Sequence, residues 1–310
     1  MATTLSPPTV STDPRARLES HSTSATGLAF VSPALVLLVL FFFVPVALCF
    51  VLAFTNARLI SPEPLRFTGL DNFTRMFSDP LFWHSLRNTA YFAVVVVPVQ
   101  SGLALLLAIL VNKRARGTNI FRTIYFVPVV TSIVVVSILW RFMYAEGGLV
   151  NSLLQAATFN LVQGTDWLNN TSTAMPAIMV MSVWQAVGFH MVIWLAGLQT
   201  IPEEQYEAAA LDGASKWHQF WHITWPGLRD TRTFILVTIT IAALSLFAQI
   251  NVMTNGGPLN STSTVVYQAV RTGYSQQQTG YASAISLVFF VLVLTISLFQ
   301  RFLTRDKDLR

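Results

Sequence analysis

The residues best suited to chemistry in this 310-residue chain are uncharged groups set in long apolar runs: Gln100, Trp184, Gln185, His190, Ser245, Gln249 and Asn251. An amide offers paired donors and acceptors to hydroxyl groups, and a Trp face stacks on the apolar side of a pyranose ring. These groups suit recognition of a neutral, hydroxyl-rich solute rather than bond making. Trp184 and Gln185 fall toward the outer half of their run, and Gln249 and Asn251 near the outer end of theirs, so one cavity is within their reach. The competing reading, that buried amides join helices by hydrogen bonds, stays open for each residue singly. His190 reads as a packing residue rather than a ligand.

Covalent and metal chemistry find no support. There is no Ser/His/Asp or Cys/His arrangement, no Cys/His cluster at metal-ligand spacing, and Cys49 is the single cysteine. A phosphate-cradling G-x-x-x-x-G-K-[ST] loop is also missing, so any ATP must be handled by another polypeptide. The chain is expected to be no enzyme and to bind no cofactor or metal itself.

The elements that position these groups follow from composition. Apolar residues make up 53% and charged residues 11% of the chain, with a mean hydropathy of +0.56, whereas a soluble domain carries about 25% charge. Six stretches have cores free of Lys, Arg, Asp and Glu and long enough to cross a bilayer, near 28–54, 90–112, 121–140, 174–198, 233–253 and 281–300. Strand-period alternation is missing, so backbone hydrogen bonds must be satisfied helically. The fold class is therefore all-α, a polytopic membrane protein with six transmembrane helices.

Basic residues set the orientation. With the N-terminus inside, most of the 19 Lys and Arg fall on the inner face, leaving only Arg58, Arg66, Arg75, Arg87, Arg141 and Arg271 outside. Both termini should be cytoplasmic. Topology accounts for the basic excess, so nucleic acid is not an expected partner, whereas the lipid bilayer is. Residues 1–25, rich in Ser, Thr and Pro, read as a disordered cytoplasmic tail rather than a signal peptide. Residues 26–303 form the membrane domain, with an inner loop over 199–231, and residues 304–310 a short cytoplasmic tail.

Outside, Gly69 marks a turn, Asp71 is a candidate N-cap, and Asp79 with Pro80 opens a further helix. Thr254 to Pro258, TNGGP, ends the fifth span. The inner loop is richer. Thr200 and Glu203 stand at capping-box spacing, and acidic residues favour a helix start there. The helix runs through Ala208, Ala209 and Ala210 until Gly213, which can take the left-handed conformation. Ser215 can cap a second helix carrying Trp217, Phe220 and Trp221 on one face, and Pro226 is expected to stop it. By physics alone this pair of short helices is an interfacial connector or a docking device.

Glu207, Ala208, Ala209, Asp212, Gly213, Ala214, Phe220, Ile223 and Pro226 resemble the EAA motif of ABC-importer permease subunits. Leu195 to Pro202 (LAGLQTIP), Ser32 to Leu35 (SPAL), Gly69 to Phe73 (GLDNF), Phe121 to Pro128 (FRTIYFVP) and TNGGP extend the likeness to the carbohydrate-importer branch, similar to the maltose and glycerol-3-phosphate transporter permeases. Trp225 and Ala248 depart from that branch's usual Leu and acidic residue.

The resemblance implies the type I ABC importer permease fold in a bacterial or archaeal cytoplasmic membrane. It implies coupling to a dimer of cytoplasmic ATPase subunits, which hold ATP and Mg, through Glu207, Ala208, Ala209, Asp212, Gly213, Ala214, Lys216, Phe220 and Pro226. It also implies a second, non-identical permease subunit and an extracytoplasmic solute-binding protein. The expected cargo is a sugar or related polyhydroxyl solute, with glycerol 3-phosphate or its diesters as the alternative within the family. An ion-coupled secondary transporter is the alternative of a different class, but it usually needs ionisable groups in the membrane, which the span cores lack.

Overall fold

The computed structural model describes Gly27 and residues 29–60, 64–112, 118–159, 161 and 164–304. The tail expected over residues 1–25, the basic inner-loop residues Lys113, Arg114 and Arg116, and the final tail beyond Thr304 lie outside the described residues. Those described are nearly all helical, and one isolated bridge pairs Thr55 with Phe67.

Met1–Val51 and Leu52–Arg310 form two compact units. In the first, α1 (Ala29–Leu52) is a 24-residue apolar helix with a wide π turn at Val39–Phe43. At 1.5 Å per residue it is long enough to cross about 30 Å of hydrocarbon.

In the second unit, α2 (Asp71–Ser78) follows a turn at Gly69, whose φ is +60°. Asp71 is the first helical residue rather than the cap: Leu70 occupies that position without a side-chain bond. The cap at Asp79 does form, its Oδ1 accepting from the Leu81 N–H at 2.8 Å with Pro80 starting the helix. From there α3 runs unbroken over Pro80–Asn112, 33 residues. It begins ten residues before the expected span because the outer amphipathic turn and the membrane segment merge into one helix.

Two expected spans are broken. The third is α4 (Thr118–Val130) and α5 (Ile133–Met143), bent by 99°. Pro128 removes an intrahelical donor just before the bend. Side chains meet two of the nearby carbonyls: Thr131 Oγ1 donates to Val127 O at 3.2 Å, and Gln185 Nε2 donates to Pro128 O at 3.4 Å. After α6 (Leu149–Ala157), α7 spans Ala174–Leu198, as expected. The fifth span divides into α10 (Arg229–Leu244) and α11 (Ala248–Met253), and at the break the Leu246 carbonyl accepts from Thr264 Oγ1 at 2.8 Å. Broken helices survive at membrane depth only where such partners satisfy the freed groups. α12 (Val265–Val270) and α13 (Thr279–Thr304) complete the unit.

α7 is the central helix, packed against α3, α4, α5, α10 and α11. Its crossing with α4 is close because Gly188 lies against the Tyr125 carbonyl, where a Cβ would collide with backbone. One core cluster includes Phe92, Ile178, Met181, Ile250 and Ile285; a second gathers Ala104, Ala108, Met191, Trp194, Leu228 and Ile235.

Candidate functional site

The inner loop lies between α7 and α10. α8 (Glu203–Leu211) is preceded by Pro202 in an extended conformation, with no side-chain cap. The capping box expected from Thr200 and Glu203 does not form, because Thr200 Oγ1 turns back to donate to Gly197 O at 2.8 Å. The C-terminus of α8 is more firmly specified. Gly213 has φ +80°, its N–H donates to Ala210 O at 3.1 Å, and the Ala214 N–H donates to Ala209 O at 2.9 Å. These paired bonds form a Schellman arrangement around a left-handed glycine, with Asp212 as C-cap. A Cβ at Gly213 would meet nothing within 4 Å, so conformation rather than space demands glycine there.

Ser215 then caps α9 (Lys216–Gln219), its Oγ accepting from the His218 N–H at 3.3 Å. A π turn over Phe220–Thr224 follows directly. Pro226 does not stop the helix as expected; it sits in the opening of a short helical turn, Trp225–Gly227.

The two limbs are tied together by Tyr206 Oη and Thr224 Oγ1 at 2.9 Å, and by buried Gln219, whose Nε2 donates to Tyr206 O at 3.4 Å. Lys216 Nζ donates to Gln219 Oε1 at 3.1 Å. Glu207, Ala208, Asp212, Gly213, Lys216 and Pro226 are exposed, while Ala209, Ala214 and Phe220 are half-buried. Leu211 is 90% exposed and Trp217 69%. The loop is thus a braced hairpin of short helices presenting both acidic and apolar groups to its surroundings.

The membrane candidates separate into two groups. Gln100 and His190 are buried, and Gln100 Nε2 lies 2.9 Å from His190 Nδ1 across the α3/α7 contact. Gln185 is half-buried and occupied with the Pro128 carbonyl. These three are engaged in joining helices. Trp184 is 46% exposed, Ser245 and Asn251 are exposed, and Gln249 is half-buried. α11, which carries Gln249 and Asn251, packs on α5 and α7, the elements of Trp140 and Trp184. The Trp140 and Trp184 rings contact at 5.4 Å, tilted by 59°.

Sequence reasoning missed Trp140. Its signal was the i, i+4 placement of Trp140 and Tyr144 on one helical face, where ring centroids are 5.2 Å apart.

Residues 100–308 match the family described as "Binding-protein-dependent transport system inner membrane component". The chain is similar to a probable ABC transporter permease protein, YurN, of Bacillus subtilis (strain 168), with 37% identity covering 90% of this chain and 96% of that protein. It is similar to the lactose transport system permease protein LacF of Rhizobium radiobacter, 35% identical over 91% of this chain and 94% of LacF. The diacetylchitobiose uptake system permease protein NgcF of Streptomyces coelicolor is 34% identical over 92% of this chain and 83% of NgcF. A chain in the crystal structure of a bacterial alginate ABC transporter, solved in complex with an alginate pentasaccharide-bound periplasmic protein, superposes with a TM-score of 0.80 at 22% identity, covering 93% of this chain and 96% of that one. That likeness shows the fold.

Proposed function

Because the chain belongs to the family of binding-protein-dependent transport system inner membrane components, we propose that it is the permease subunit of an ATP-driven importer of a sugar or related polyhydroxyl solute. As a family member it is a multi-pass inner-membrane protein, and an ion-coupled carrier is set aside. Its ATP is hydrolysed elsewhere, by a dimer of cytoplasmic ATPase subunits that carry ATP and Mg. A second, non-identical permease completes the pathway, and an extracytoplasmic solute-binding protein delivers the cargo.

The observation that carries the coupling role is the braced inner hairpin. Its exposed helix Glu203–Leu211 ends in a bend fixed by Gly213 and is continuous in sequence with α7 and α10. A rigid lever between two spans turns closure of an ATPase dimer into helix motion, with Glu207 and the small face of Ala208 and Ala209 at the contact. For cargo, the open groups near the α5/α7/α11 meeting are uncharged: Trp184, Gln249 and Asn251. Uncharged donors, acceptors and a stacking face favour sugar hydroxyls over a phosphate. Relatives named for lactose and diacetylchitobiose support the same choice over glycerol 3-phosphate.

The test is reconstitution with a partner permease, ATPase and binding protein in proteoliposomes. ATP-dependent uptake of pyranosides, lost when Glu207→Lys releases the ATPase, supports the reading; uptake that persists without the ATPase refutes it.

A further inference from the structure

α6, between the broken third span and α7, is built inside out. A helix on a water-facing surface turns its apolar side to the core and its polar side outward. Here Asn151 is buried, while Leu149, Leu153 and Ala156, at i, i+4 and i+7, are exposed. Asn151 lies two residues from each leucine, about 200° round the helix from both, so the polar and apolar sides face opposite ways. Leu153 is 60% exposed, and Phe159 beyond the helix end is 88% exposed. No Asp, Glu, Lys or Arg falls between Glu146 and Asp166.

The backbone places this apolar side at the membrane. Gly148 lies against the Met143 and Phe142 carbonyls, where a Cβ would collide, so α6 starts on the last turn of α5. Asn151 Nδ2 donates to the turn carbonyls Ala145 O and Glu146 O, both at 3.1 Å, and its Oδ1 accepts from the Thr165 N–H at 3.0 Å and Trp167 Nε1 at 2.9 Å. The turn's own carbonyls are thus held by a side chain rather than left to water. Hydroxyls on the helix also turn back into it: Ser152 Oγ donates to Gly148 O at 3.1 Å, and Thr158 Oγ1 to Leu154 O at 2.7 Å. Internal satisfaction of polar groups is the condition that hydrocarbon sets. A docking protein usually meets a polar, hydrogen-bonding rim, and this side of α6 offers none.

We propose that α6 is an interfacial helix lying in the outer leaflet, with Leu149, Leu153, Ala156 and Phe159 among lipid acyl chains. Interfacial helices of this kind sink their apolar side about 5–10 Å into the boundary between headgroups and acyl chains. The third span gives α6 a purpose. Its two halves, 13 and 11 residues, rise about 20 Å and about 17 Å, against about 30 Å of hydrocarbon. α6 supplies the outer half with a second hold on the lipid. The proposal goes beyond the importer reading and holds whatever solute is carried, because no cargo contact enters it.

The experiment uses the full complex in proteoliposomes, made cysteine-free with Cys49→Ser in this chain, and a nitroxide attached at Leu153→Cys. Collision of the label with oxygen, which concentrates in hydrocarbon, is compared with collision with a neutral water-soluble nickel chelate. A doxyl-labelled phosphatidylcholine gives the lipid reference, and Leu259→Cys, 88% exposed in the outer loop, the aqueous one. At Leu153 oxygen should dominate, with a ratio close to that of the labelled lipid and the reverse of that at Leu259. Leu149→Cys carries the same test if Leu153→Cys does not assemble.

A nickel-dominated label at Leu153 would place α6 in water and overturn the proposal. Low collision with both reagents would mean that protein, the second permease above all, covers the helix. A ratio that falls only on adding the solute-binding protein would assign the surface to that partner; either result also overturns the lipid assignment. None of these outcomes bears on the importer reading, which uptake by the same complex tests separately.

Discussion

Gln100 Nε2 and His190 Nδ1 lie 2.9 Å apart between α3 and α7, both side chains buried. Two of the residues that a polar-group search offers for substrate binding therefore satisfy each other. Their pairing predicts a packing phenotype. Gln100→Leu or His190→Leu should lower the thermal midpoint of the purified complex, in line with interhelical hydrogen bonds worth about 0.6–1.7 kcal/mol in membranes, and leave the KM of uptake unchanged. A raised KM with an unaltered midpoint would return them to the pathway.

Gly213 is held at φ +80° with open space where a Cβ would go. Gly213→Val should strain the bend by roughly 1–2 kcal/mol, uncoupling ATP hydrolysis from uptake while the protein still inserts. Gly213→Asn, which tolerates the left-handed conformation, should retain most uptake. Hydrolysis and uptake rates measured side by side decide the matter, and normal coupling in the Val variant would refute a lever role.

At Gly188 the constraint is space. A Cβ there meets the Tyr125 backbone carbonyl, which cannot yield as a flexible side chain would. Gly188→Val should separate α4 from α7 and cost at least the roughly 1–3 kcal/mol typical of overpacking. A strong drop in the detergent-solubilised yield or in the unfolding midpoint is expected, and unchanged values for both would contradict the close crossing.

Trp184, Gln249 and Asn251 remain open where Gln185 is occupied by the Pro128 carbonyl. Trp184→Ala and Gln249→Ala should raise the KM of uptake several-fold while co-purification with the ATPase persists. Equal loss of assembly would show that both residues only hold helices together.

Much of the architecture was legible because membrane insertion writes itself into composition. α7 occupies the span read from hydropathy, and the Gly213 bend and the Ser215 cap follow from residues acting within one or two turns. Failures came where a local preference met a competing partner. Thr200 had a carbonyl of α7 within reach and gave up the capping box. The breaks between α4 and α5 and between α10 and α11 depend on donors from elsewhere, Gln185 and Thr264, which hydropathy does not register.

The sequence by itself determined a helical membrane protein with uncharged span cores and a charged, glycine-bent inner loop, since backbone hydrogen bonding in lipid and the cost of charge there allow few other outcomes. Only the tertiary structure decided which polar groups are spent on packing and which remain open. Gln100 and His190 lie 90 positions apart yet meet, and Trp140 of α5 meets Trp184 of α7. Such pairings depend on how helices cross, a long-range property of packing that no local window of residues contains.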